Sequence, residues 1–298
     1  MSQQIPAIET HGLTKYYGEA RGVIDLDLRV EQGEIFGFLG PNGAGKTTTI
    51  RLLMDFLRPT SGSADMFGMD VRKHSLELRH RVSNLPGEFS IYPRITGRQF
   101  LDICASGHVN GRAAEKDIVE RLDIELDRRV SSLSHGNQQK IGLVQAFMAD
   151  PDLLILDEPT TGLDPLVQQE LYAILQEQRA DGKTVFMSSH NLAEVERVCD
   201  RIGVVRDGRL VAVETVDDLQ TRRVRKMEVT FSVETEIDSL VIPGVTLESS
   251  SELSVVLLVT GGVGELLGRL AQLPVEDLVF PEASIEDTFM SFYTEGEE

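Results

Sequence analysis

Between residues 40 and 47 the chain reads Gly-Pro-Asn-Gly-Ala-Gly-Lys-Thr, the G-x-x-x-x-G-K-[ST] spacing of a phosphate-binding loop. That spacing carries weight between a strand and a helix, and both flanks qualify. The run before it, Gly33-Glu34-Ile35-Phe36-Gly37-Phe38-Leu39, is short and apolar and follows a glycine turn, as a buried strand does. After it, Ile50, Leu53 and Met54 share one helical face. The residue types suit phosphate: glycines let backbone N–H groups turn toward its oxygens, and the new helix adds its positive end. Lys46 would reach the β- and γ-phosphates as a point charge, and the Thr47 hydroxyl would ligate magnesium. By itself the loop says nucleoside triphosphatase and no more.

A second apolar run, Leu153-Leu154-Ile155-Leu156, ends in Asp157-Glu158. A strand this apolar suits a parallel sheet covered on both faces, and acids at its carboxyl end fall where α/β sheets bind ligands. Asp157 would hold magnesium through water, and Glu158 would orient or deprotonate the attacking water.

The rest of the composition narrows the partners. The formal net charge of −19, from 48 acids against 29 bases, argues against a broad nucleic-acid-binding face. The two cysteines, Cys104 and Cys199, give neither a disulfide framework nor metal-ligand spacing, which fits a reducing compartment. No apolar run reaches the roughly 18 residues of a membrane-spanning helix, and the polar start has no signal-peptide core. The expectation is a cytoplasmic chain with ample material for one large core or two modest ones.

Further motifs follow in order, and together they resemble the ATP-binding subunit of an ATP-binding-cassette (ABC) transporter over about residues 7 to 220. Lys15-Tyr16-Tyr17-Gly18 is similar to the stretch whose aromatic residue stacks on adenine, which puts Tyr17 in that role. Leu133-Ser134-His135-Gly136-Asn137-Gln138 resembles the signature LSGGQ, with His135 and Asn137 as departures. The resemblance implies that Ser134 and Gly136 cap the γ-phosphate of ATP held by an opposite subunit, at a helix start where an anion finds a hydroxyl and free N–H groups. Thr161-Gly162-Leu163-Asp164 matches the loop that crosses the dimer interface, and His190, after Ser188-Ser189, matches the switch histidine. The spacing of Asn191 and Glu194 resembles a capping box for the next helix.

The clearest departure lies at Leu85-Pro86-Gly87-Glu88, where Gly87 stands in place of a glutamine that touches magnesium in the family. A carboxylate is a competent magnesium ligand, so Glu88 is the candidate replacement.

The expected fold is α/β: a phosphate-loop NTPase core of the ABC ATPase type with a helical subdomain, plus a small C-terminal α/β domain. The cassette is expected over residues 1–220, its helical subdomain over about 88–150, and the accessory domain over 221–298. Beyond a basic linker, Arg222-Arg223-Val224-Arg225-Lys226, alternating Met227, Val229, Phe231 and Val233 mark a strand. Strands at 253–259 and 275–280, a helix at 263–273 and a last helix after Ser284 complete that domain. It resembles the C-terminal extension of ABC-2-type exporter ATPases.

The resemblance implies ATP and Mg2+ as cofactors. Catalytic roles fall to Glu158, His190 and Lys46, and nucleotide contacts to Tyr17, Asn42, Gly43, Ala44, Gly45, Lys46, Thr47, Thr48, Ser134, Gly136 and Asp164. Thr47, Asp157 and Glu88 are the metal candidates. The implied partners are a second cassette and a separate transmembrane permease on the inner face of the cell membrane, with no nucleic acid. A non-transport ABC ATPase of chromosomes, repair or translation is the alternative; it would show long heptads or tandem cassettes, and neither pattern is present.

Overall fold

The computed structural model describes residues 5–88, 90–106, 112–221 and 225–281. It divides into two compact units between Glu214 and Thr215, so the helix Val216–Thr221 belongs with the second unit. The sequence boundary at residue 220 falls within that helix.

The first unit is built on a six-stranded sheet ordered Arg209–Thr215, Arg201–Arg206, Ile35–Leu39, Thr184–Ser189, Leu153–Asp157 and Val82–Leu85. The strands Ile35–Leu39, Thr184–Ser189 and Leu153–Asp157 are buried at every residue, as expected for parallel strands covered on both faces. Their register brings the chemistry together. Leu39 pairs with Ser189 and with Val204, and Asp157 pairs with Ser188. The carboxyl ends therefore lie side by side, and the loop after Leu39, the acids Asp157 and Glu158, and His190 emerge along one edge.

A five-stranded antiparallel sheet precedes and flanks this one, with Ile8–Tyr17 paired to Ala20–Leu26, Arg29–Val30 and Ser61–Met66. One core joins Leu13, Val23 and Leu26 of that sheet to Ile50 and Leu53 of the helix Lys46–Leu53 and to Phe36 and Phe186 of the parallel sheet. The helix after the phosphate loop is thus gripped by both sheets. Between the strands Val82–Leu85 and Leu153–Asp157 lie the helices Gly97–Ala105, Glu115–Arg121 and His135–Phe147. Thr96 opens the first of them with a full capping box to Gln99. Gly97 lies so close to Ile141 that an added Cβ would sit 2.9 Å from its Cδ1.

The second unit is an antiparallel sheet ordered Val245–Ser250, Ser254–Val259, Arg225–Phe231 and Val275–Val279, with the helix Val263–Leu270. Met227, Val229 and Phe231 alternate into one core with Val255, Leu257, Val259, Leu266 and Leu270. The strand Val245–Ser250 is an addition to the sequence expectation. Only its first residue is buried, so its polar, exposed remainder carries no strand pattern. The expected helix after Ser284 and residues 222–224 of the expected linker lie outside the described residues, while Arg225 and Lys226, the rest of that linker, open the strand Arg225–Phe231.

Candidate functional site

The loop at 40–47 is shaped by close approaches that only glycine permits. A Cβ at Gly40 would fall 2.3 Å from the Val205 carbonyl oxygen, and one at Gly45, whose φ is 108°, would fall 2.7 Å from that of Gly22. Gly45 caps the following helix without any side-chain bond, and the first residues of that helix line the neighbouring cleft. Lys46 is 6% exposed, and its ammonium donates to the carbonyls of Gly40 at 2.6 Å and Pro41 at 3.2 Å.

Across the cleft, Glu158 ties two expected catalytic residues together. Its Oε1 lies 3.2 Å from Lys46 Nζ and its Oε2 lies 2.8 Å from His190 Nδ1. The Glu158 backbone holds φ at 50°, a left-handed conformation that costs on the order of 1–3 kcal/mol outside glycine. It is fixed there by its own N–H, which donates to the Ser188 carbonyl at 3.2 Å and to Ser188 Oγ at 3.1 Å.

Asp157 is 1% exposed. Its Oδ1 accepts from Ser188 Oγ at 2.5 Å, while its Oδ2 is buried without a hydrogen-bond partner. An orphaned carboxylate oxygen beside a phosphate loop fits a hard cation that keeps most of its water. Gly87 presses on this oxygen: a Cβ there would lie 2.9 Å from Asp157 Oδ2. A glutamine at that position would displace Asp157 from this arrangement.

The cleft, about 340 Å³, is lined by Tyr17, Arg21, Gly22, Asn42, Gly43, Gly45, Lys46, Thr47, Thr48 and Glu158. It therefore gathers most of the residues expected to hold nucleotide. Ala44 is buried beneath the loop. Tyr17 is 44% exposed, with its hydroxyl 3.4 Å from Thr48 Oγ1 and Lys15 Nζ 5.5 Å from its ring centre.

Ser134, Gly136 and Asp164 are absent from that lining. Ser134 caps the helix His135–Phe147, its Oγ accepting from Asn137 N at 3.3 Å. Asp164 caps Pro165–Ala180 through Oδ1, which accepts from Leu166 N and Val167 N at 3.1 Å. Gly136 packs so tightly on the Gly162 carbonyl that a Cβ would meet its oxygen at 2.3 Å. Gln139 Nε2 donates to the Pro159 carbonyl at 3.4 Å. The signature helix is thus fastened to the chain that leaves Glu158.

Glu88 lines a separate groove of about 620 Å³ with Met54, Phe56, Arg79, His80, Asn84 and Gln145, among others. It lies one residue from Gly87, where a side chain would crowd Asp157.

Two contributions were not legible from motif matching. Ser188 supports both acids, and its signal is a hydroxyl in a fully buried strand. Glu194 is the other. Asn191 Oδ1 caps the helix Leu192–Val198 by accepting from Ala193 N at 3.0 Å, but Glu194 accepts from Ser189 Oγ at 2.6 Å. Burial pushes the Glu194 carboxyl above its ordinary pKa, against that hydrogen bond.

Residues 23–161 match the ABC transporter family. The bacitracin transport ATP-binding protein BcrA of Bacillus licheniformis is 37% identical over 231 residues, covering 76% of this chain and 75% of that protein. The daunorubicin/doxorubicin resistance ATP-binding protein DrrA of Streptomyces peucetius is 37% identical over 226 residues, covering 74% and 68%. Among solved structures, an ATP-binding subunit of an ABC transporter is 30% identical, covers 72% of this chain and 92% of its own, and superposes with a TM-score of 0.65. A dimeric cassette bound to ADP and Pi, 20% identical over 70% of this chain and 98% of its own, shares the fold with a TM-score of 0.63. With its phosphate loop, paired acids and relatives of this extent, the chain belongs to the ABC transporter ATP-binding proteins and is an ATPase cassette.

Proposed function

We propose that this cassette powers export: it hydrolyses ATP as one of a pair and drives a separate membrane permease from the cytoplasmic face. The observation that carries the catalytic part is the Glu158 carboxylate held between Lys46 and His190 at the carboxyl edge of the sheet. In that position Glu158 orients the attacking water and accepts its proton, Lys46 neutralises the β- and γ-phosphates, and His190 donates to the γ-phosphate while fixing Glu158. Tyr17 stacks on the base, and the N–H groups of residues 42–48 cradle the phosphates. Thr47 and Asp157 would hold Mg2+, which supplies charge neutralisation at the phosphates. Glu88 is the candidate additional ligand, next in sequence to Gly87, where an added Cβ would lie 2.9 Å from Asp157 Oδ2.

Pairing is supported by what the cleft lacks. Ser134, Gly136 and Asp164 are built into rigid caps and contacts outside it, as residues serving a second cassette's nucleotide would be. Among the described residues no helix is long and apolar enough to cross a membrane, so the permease is a separate chain or segment. The groove beside Glu88, with Phe56 57% exposed on its wall and Tyr92, two residues past Ser90 of its lining, 78% exposed, suits the permease segment. Bacitracin transport and drug resistance in the named relatives support export as the direction.

The test is co-purification from gently solubilised membranes with a photo-crosslinker at Phe56 or Tyr92. A stoichiometric multi-span protein joined at those positions is expected. Recovery with soluble partners alone, and no membrane association, would overturn the transporter role while leaving the ATPase.

A further inference from the structure

We propose that Arg21 is a nucleotide-binding residue: its guanidinium, braced by Asp207, meets the ribose and α-phosphate of a nucleotide held on the 40–47 loop. The inference rests on the nucleotide reading of the cleft given above. Arg21 pairs with Tyr16 across the antiparallel ladder, one step from the pair formed by Tyr17 and Ala20. Its side chain walls the same cleft as Tyr17, Lys46 and Glu158.

The neighbouring glycine fixes where along the cleft it stands. A Cβ at Gly22 would lie 3.0 Å from Tyr17 Cε2 and 3.1 Å from Thr48 Cγ2. Arg21 is the next residue along the strand from that point, and it lines the cleft that Tyr17 and Thr48 also line.

Asp207 holds the guanidinium in place. Arg21 Nη2 donates to Asp207 Oδ1 at 2.5 Å. Asp207 and Gly208 form a turn in which both residues have positive φ, 54° and 80°. That turn is stitched to the site on two sides: Gly208 N donates to the Ala44 carbonyl at 3.0 Å, and the Gly208 carbonyl accepts from Ile24 N at 2.7 Å. Arg206 Nε lies 3.5 Å from the second Asp207 oxygen.

The contact to Asp207 uses one of the five N–H donors of Arg21. The rest form a planar fork suited to phosphate and hydroxyl acceptors. Because Arg21 stands at the Tyr17 end, its contact is to groups that ATP and ADP share.

The experiment titrates MgATP and MgADP by calorimetry into the full chain, its Arg21→Gln variant and its Lys46→Ala variant, with nucleotide-free melting followed alongside. Arg21→Gln is expected to weaken both nucleotides by the same factor, about tenfold for an exposed charge-assisted contact, with its nucleotide-free melting unchanged. Wild-type affinity in Arg21→Gln, with Lys46→Ala weakened, would overturn this proposal and leave the site standing. A loss confined to MgATP would place Arg21 on the γ-phosphate and overturn it too, as would a loss accompanied by a melting temperature several degrees lower. Undiminished binding by Lys46→Ala would instead overturn the nucleotide reading of the cleft.

Discussion

Two helices in this chain begin at glycine-bearing phosphate motifs, and they begin differently. Lys46–Leu53 starts from Gly45 with no side-chain cap, its first residues lining a cleft that Glu158 also lines. His135–Phe147 starts from Ser134, whose hydroxyl already accepts from Asn137 N, with Gly136 seated on the Gly162 carbonyl. The first is an anion site assembled within one chain. The second is self-satisfied and stands outside that cleft. The difference teaches that the two helix starts are separate: the first lines a cleft suited to an anion, while the second is already capped and is fastened through Gly162 and Gln139 to the chain leaving Glu158.

The sharpest way to break this comparison is at the first helix. Lys46→Ala removes an ammonium from the phosphate end and is expected to reduce MgATP affinity by roughly 100-fold and to abolish turnover, read by calorimetry and phosphate release. Glu158→Gln separates binding from chemistry: hydrolysis should fall by about 10²–10⁴-fold while MgATP still binds. Normal turnover in that variant would remove Glu158 from the mechanism.

Substitutions at the second helix should spare binding by a single chain. Gly136→Ala drives a Cβ against the Gly162 oxygen and should cost about 1–3 kcal/mol of stability, with turnover lost and MgATP affinity of the dilute chain kept. Ser134→Ala should cost about 1 kcal/mol through the lost cap, seen as a small fall in melting temperature, and should lower turnover without weakening single-chain binding. If either variant bound MgATP poorly when dilute, the two helices would belong to one site and the contrast would fail.

The smallest effect belongs to Glu88→Ala. A modest rise, about threefold, in the magnesium needed for half-maximal turnover is expected for loss of one indirect ligand. An unchanged magnesium dependence would exclude Glu88 from the metal site.

Much of this contrast was legible in the sequence, because each motif is local. The phosphate loop announced itself through spacing and flanks, and the apolar run ending in Asp157-Glu158 declared a buried strand with acids at its carboxyl end. What no local pattern states is register. The pairing of Leu39 with Ser189 and of Asp157 with Ser188 brings three distant strand ends together, and family resemblance stood in for it. Arg21 stayed hidden because its partner Asp207 is 186 residues away; along the chain it is one exposed cation among 29 bases. The absence of a glutamine at position 87 looked like a loss. The 2.9 Å that would separate an added Cβ from Asp157 Oδ2 gives a steric reason for glycine there. The strand Val245–Ser250 escaped because an exposed edge needs no alternating apolar residues.

The most direct measurement is sedimentation of the Glu158→Gln variant with and without MgATP. If the nucleotide on one copy is completed by Ser134 and Gly136 of another, this hydrolysis-deficient variant should shift from monomer to dimer only when MgATP is present, and Ser134 and Gly136 substitutions added to it should weaken that shift. A variant that binds MgATP to saturation and remains a monomer at all concentrations would contradict the two-copy site.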